Sequence, residues 1–153
     1  MSKKLFILFL CALFPLFFVS YASAADKTIT GLWKTIDDET NKAKSIVKIY
    51  EQDGKYFGKI VKLFIDPGKD QNPVCDKCPD DDPRKDQLTM GMVILKDLEK
   101  SGSQYKNGQI LDPKKGKIYK CKLWLEGENL KLRGYILFVY RTQTWLPVSS
   151  IDG

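Results

Sequence analysis

Residues 117–136 read KIYKCKLWLEGENLKLRGYI, and this stretch decides the fold. Side chains of an extended chain alternate between its two faces. Tyr119, Cys121, Leu123 and Leu125 therefore share one face, and Lys120 and Lys122 share the other. Residues 126–129 turn the chain. Leu130, Leu132, Gly134 and Ile136 then oppose Lys131 and Arg133. One apolar face and one wet face per strand predict an antiparallel meander.

The same reading extends in both directions. Turn signals recur about every 8–12 residues, the spacing of an all-β sandwich or barrel. Strands are predicted over residues 30–36, 44–51, 55–65, 105–111, 117–125, 130–138 and 140–146, the last ended by Pro147. A strand or short helix is predicted over 90–98. Asp53-Gly54 supplies the positive φ angles of a tight hairpin, because glycine has no Cβ to clash. Eight such strands can close on themselves and remove their exposed edges. The expectation is an all-β, eight-stranded antiparallel up-and-down barrel, with an interior either filled by side chains or holding one small ligand. Residues 66–87 break the rhythm with four prolines and seven aspartates, a composition that predicts a long irregular loop.

Residues 1–24 read as a secretory signal. Lys3 and Lys4 make a basic start, 5–19 is an apolar run, and Ala22-Ser23-Ala24 is a small-residue cleavage site. Pro15 and the shortness of the run argue against a membrane span. The expected mature chain, 25–153, is one domain in a bacterial periplasm. Removing Lys3 and Lys4 from the 25 basic residues leaves 23 against 19 acidic, a net +4. Its cations are spread along the chain, with short clusters at Lys42/Lys44 and Lys114/Lys115/Lys117 that predict a solvated surface or, as the alternative, attraction to an anionic envelope surface. Without aromatic interleaving, nucleic acid is not an expected partner. The chain has no histidine, which removes Ser-His-Asp triads, Cys-His pairs and histidine metal sites. No acid/base pair and no activated nucleophile stands out, and neither metal nor cofactor is expected.

Cys75-x-x-Cys78 lies in the irregular loop. In an oxidising compartment a disulfide stapling that loop is the favoured reading; a redox pair, a metal site and free thiols are the alternatives. Three cysteines follow the signal, so one stays unpaired within a monomer. Cys121 has apolar parity and is the expected buried thiol, with a bridge to either loop cysteine as the alternative.

Several segments also carry a family resemblance. Gly31-Leu32-Trp33-Lys34-Thr35, 53–60, Cys75-Asp76-Lys77-Cys78-Pro79, 91–95, 108–113, 116–121, 133–135 and Arg141-Thr142-Gln143-Thr144-Trp145 resemble, in order and spacing, domain-of-unknown-function family 2147, small exported bacterial proteins. The resemblance implies a lipocalin-like barrel in the periplasm and brings no established reaction. Several members carry a glycine-rich segment before the final Arg-Thr-Gln pattern; here that stretch is Ile136-Leu137-Phe138-Val139-Tyr140, so an altered turn is expected. Gly31-x-Trp33 also resembles the first-strand signature of lipocalins. That likeness implies a tryptophan closing the barrel floor with a late arginine, Arg141, stacked across it.

Two functions follow. The first is binding of a small hydrophobic or amphipathic molecule, with Val47, Ile49, Tyr119, Leu123, Leu130 and Leu132 as lining and 66–87 as a lid. The second is an envelope protein-interaction module or homodimer using the loops and outer face, where Trp124 and Tyr135 have outward parity. A thiol enzyme at Cys75 and Cys78 is the weakest candidate.

Overall fold

The computed structural model describes residues 27–152; the expected signal sequence lies outside the described residues. Eight antiparallel strands follow one another: β1 (Gly31–Ile36), β2 (Ala43–Gln52), β3 (Lys55–Leu63), β4 (Val93–Ser101), β5 (Gln104–Asp112), β6 (Lys117–Glu126), β7 (Asn129–Ile136) and β8 (Val139–Val148). Each pairs with the next, and β8 returns to β1, so the sheet is a closed barrel. The closing seam is short: Leu32, Trp33 and Lys34 face Val148, Pro147 and Leu146. Strand β8 runs past Pro147, which was expected to end it. Its ladder to β7 has already stopped at Trp145, so a proline ring directed to that side breaks no bond.

Alternation places the core as the lysine pattern requires. Val47, Ile49, Leu95, Leu98, Leu123 and Leu130 are buried inside the barrel, and Trp145 joins them from β8. The segment from Met90 to Met92 is neither strand nor helix. Gly91 N–H donates to the Ile60 carbonyl and Ile60 N–H to the Met92 carbonyl, and the strand starts only at Val93. Strand β7 stops at Ile136, not Phe138, because Leu137-Phe138 forms the two-residue turn into β8. Extra residues bend the wall at Asp97 and Asn107, both at positive φ in register shifts.

Each end of the barrel has its own character. One end carries the β2–β3, β4–β5 and β6–β7 turns together with residues 27–30. Ile29 is fully buried there, Trp33 Nε1–H donates to its carbonyl at 2.8 Å, and Lys27 pairs with Glu128. The opposite end carries loop 37–42, the long connection 64–92, the turn 113–116 and the Leu137-Phe138 turn.

Candidate functional site

The barrel interior is filled where the strand pattern placed a ligand. Val47, Leu123 and Leu130 expose 0% of their surface, Ile49 1% and Leu132 3%, so water-sized space does not adjoin the first three. A Cβ on Gly58 would stand 2.8 Å from Leu95 Cδ1, and one on Gly108 2.4 Å from Leu98 Cγ. These inward glycines are required because leucines of the intervening strand β4 occupy their space. Towards β6–β8 the interior is looser. A Cβ on Gly134 would meet just Tyr119 Cβ, at 3.7 Å, and Tyr119 is half-buried. Five of the six expected lining residues are thus packed core, and Tyr119 stands apart near the mouth.

Gly31 and Trp33 lie at the barrel floor, as the lipocalin-like signature implied, but Arg141 does not cross Trp33. Trp33 faces Pro147, and Arg141 lies six residues earlier on β8, about 20 Å along the strand. Its Nε is 2.6 Å from Asp38 Oδ2 at the other mouth, where Gln143 also donates to Asp38 and Trp145 Nε1–H donates to Gln143. An adjacent carboxylate is the stronger attractor for a half-exposed guanidinium.

The Cys75–Cys78 disulfide is present, and Cys121 is a buried free thiol, which settles the pairing among the described residues. Far from a mobile lid, the long connection is fastened to the barrel. Cys75 and Cys78 join the core, Val74 bridges Leu88, and Cys75 N–H donates to the Gln87 carbonyl. The Arg84 guanidinium grips Asp82 at 2.6 and 2.8 Å and donates to the Val93 carbonyl at 3.0 Å.

That fastening leaves a groove of about 600 Å³ between the loop and the outer wall of β2–β4. Tyr50 and Phe57 form its floor as a directly opposed cross-strand pair, ring centroids 5.9 Å apart. Leu88 and Met90 stand exposed on its rim, and Arg84, Lys96, Gln52 and Gln87 supply polar groups. It opens widely to solvent, so it can cover one face of a small molecule rather than enclose it. None of these residues was singled out by the strand pattern. One signal was present: Tyr50 and Phe57 lie symmetrically about Asp53-Gly54, so a tight hairpin must oppose two aromatics on a face that should be wet.

The sequence profile described as "Uncharacterized protein conserved in bacteria (DUF2147)" matches residues 31–146. The chain belongs to the DUF2147 family. The match runs from the first residue of β1 into β8, so this DUF2147 domain is the barrel itself, disulfide loop included. Among solved structures it is similar to protein HP1028 from Helicobacter pylori, described as belonging to the lipocalin family. The identity is 21%, over 82% of this chain and 86% of that one, with a TM-score of 0.67. No curated protein matches the chain.

Two side chains of the DUF2147 barrel, Asp82 and Cys121, have strongly displaced titrations. Arg84 hydrogen bonds hold Asp82 down at about 2, against the opposing effect of burial. The sign is the usual carboxylate one: the stabilisation is full above the unfolded value near 3.8 and is lost as pH falls towards 2. Native protein should lose roughly 2 kcal/mol more than Asp82→Asn between pH 5 and pH 2 in urea titrations. Equal losses would show that the Arg84 clamp contributes nothing. Burial pushes the Cys121 thiol up to about 12. A disulfide-exchange reagent at mild pH should therefore find no thiol in the folded protein and one equivalent after unfolding. A fast-reacting native thiol would contradict this packing.

Proposed function

We propose that this protein is an exported, periplasmic binding protein for a small amphipathic molecule, and that it binds rather than catalyses. Its site is the groove under the disulfide-fastened loop, not the barrel interior. One observation carries the reading: the interior lining is closed to within 3% exposure at Val47, Ile49, Leu123, Leu130 and Leu132, while the groove offers aromatic and thioether surface beside Arg84 and Lys96. Tyr50, Phe57 and Met90 would take an apolar body. Arg84 is largely neutralised by Asp82, which leaves Lys96 to favour an anionic group.

Anilinonaphthalene sulfonate, with an aromatic body and one sulfonate, is the first probe. Its fluorescence should rise on binding. Phe57→Ala and Lys96→Glu should each weaken it about tenfold, equivalent to ~1.4 kcal/mol. Binding that survives both substitutions but is lost in Tyr119→Ala would return the site to the barrel mouth and sink the groove. A second reading, surface association through the outer face, draws on the exposed turn between β7 and β8.

A further inference from the structure

The Leu137-Phe138 turn is the most exposed apolar feature described. Leu137 is 89% and Phe138 99% exposed, flanked by the exposed Ile136, Val139 and Tyr140. Ile136 pairs with Val139, so these two residues form a two-residue hairpin loop. A loop of this kind with positive φ at its first residue alone favours glycine there, because glycine has no Cβ to clash. Here Leu137 holds φ 52°, a conformation costly for an apolar L-residue. Local turn chemistry and hydration both oppose this sequence, and nothing inside the barrel is gained by it. That combination marks a surface selected for contact.

The surroundings indicate what it touches. No Asp or Glu occurs from residue 113 to 125 or from 129 to 148, whereas Lys114, Lys115, Lys117, Lys120, Arg133 and Arg141 lie there. Lys117–Lys120 lie on the strand adjoining the hairpin, where Lys120 faces Tyr135. Acidic groups at this end lie on the neighbouring loop 37–42, at the end of β5 and on the disulfide-fastened connection 64–92, where Asp66, Asp70, Asp76, Asp80, Asp81 and Asp86 are exposed, so the basic sector of the rim is the hairpin's own side. Asp38 pairs with Arg141 and Asp112 with Lys44, Asp37 accepts bonds from residues 39 and 40, and Glu39 is exposed. Arg133 stacks on Tyr140 at 4.1 Å, and Tyr135 leans on Tyr140, so an aromatic and cationic collar sits just behind the apolar tip.

We propose that the β7–β8 turn is a membrane-surface anchor, with Leu137 and Phe138 entering the interface of an anionic bilayer and the basic residues of β6–β8 facing its headgroups. A two-residue tip is too small for a stable protein interface, which needs on the order of 1,000 Å². Reversible lipid binding is different: it works by pairing one modest apolar insertion with a basic patch. Aromatic side chains at the collar suit the headgroup layer.

The exported, mature protein should float with vesicles of phosphatidylethanolamine and phosphatidylglycerol, much less with phosphatidylcholine, and less as salt rises. The double substitution Leu137→Gly, Phe138→Asn installs turn chemistry that fits this backbone. It should lower the vesicle partition coefficient by roughly tenfold or more while the thermal midpoint holds or rises. Phe138→Trp should blue-shift its added emission on anionic vesicles only. Undiminished flotation of the double variant overturns the anchor, as does equal binding to neutral vesicles. A native dimer dispersed by the same substitutions, without flotation, also overturns it and assigns the tip to a second copy of the chain.

Discussion

Gly108→Ala is expected to lower the free energy of unfolding by about 3 kcal/mol, although it adds one methyl group. The new Cβ would lie 2.4 and 2.5 Å from two atoms of Leu98 and 2.9 Å from the Lys96 carbonyl. Leu98 cannot swing away, because it is fully buried, and the Lys96 contact is backbone. Leu98→Ala alone should cost about 3 kcal/mol through its cavity. Combined, the two should cost less than their sum by about 1–3 kcal/mol, since the methyl refills part of that cavity. Urea titrations of the four proteins measure this. Strict additivity, or a Gly108→Ala loss under about 0.5 kcal/mol, would mean that the interior on the β4–β5 side is not closed.

Gly116→Ala should act on the disulfide loop. Gly116 holds φ 65°, and a Cβ there would stand 1.7 Å from the Lys77 carbonyl oxygen and 2.7 Å from the Cys78 nitrogen. Every atom it meets is backbone, so the loop must lift off the β5–β6 turn. The expected cost is about 2–4 kcal/mol, with strand content retained in far-ultraviolet circular dichroism. Cys75 and Cys78, 0% and 2% exposed in the native fold, should become rapidly reducible by a phosphine. Gly127→Ala is the control: its φ is 62°, yet a Cβ there meets nothing within 4 Å. It should cost about 1 kcal/mol of backbone strain and leave the disulfide protected. Matching reduction rates for the two variants would show that the loop does not rest on Gly116.

The barrel was legible because its evidence is local. Tyr119, Cys121, Leu123 and Leu125 against Lys120 and Lys122 state a strand and its buried side without knowledge of any neighbour. Asp53-Gly54 states a hairpin in the same way. Boundaries failed where a distant partner decides them. Pro147 continues β8 because β1 pairs with it, and Met90 is outside β4 because Gly91 bonds back to Ile60. The interior was legible as a face but not as a volume. Val47 and Leu130 point inward as expected; whether that leaves a cavity depends on Leu95 and Leu98 filling the spaces over Gly58 and Gly108, a relation between strands with no local trace. Arg141 failed for a similar reason. Its position along β8 relative to Trp33 follows from the seam register, and Asp38 was an unexamined competitor. The groove was missed because half of it comes from the proline-rich loop, whose path depends on Arg84, Asp82 and the disulfide rather than on a repeat pattern.

The three-pair seam between β1 and β8 joins segments more than a hundred residues apart in the chain. Until β8 is available, the preceding strands form at most an open ribbon with unprotected hydrogen-bonding margins at β1 and β7. A chain that emerges from its amino end thus cannot mature piecemeal; the decisive step waits for nearly the whole polypeptide. During that interval it is a sticky, protease-sensitive sheet.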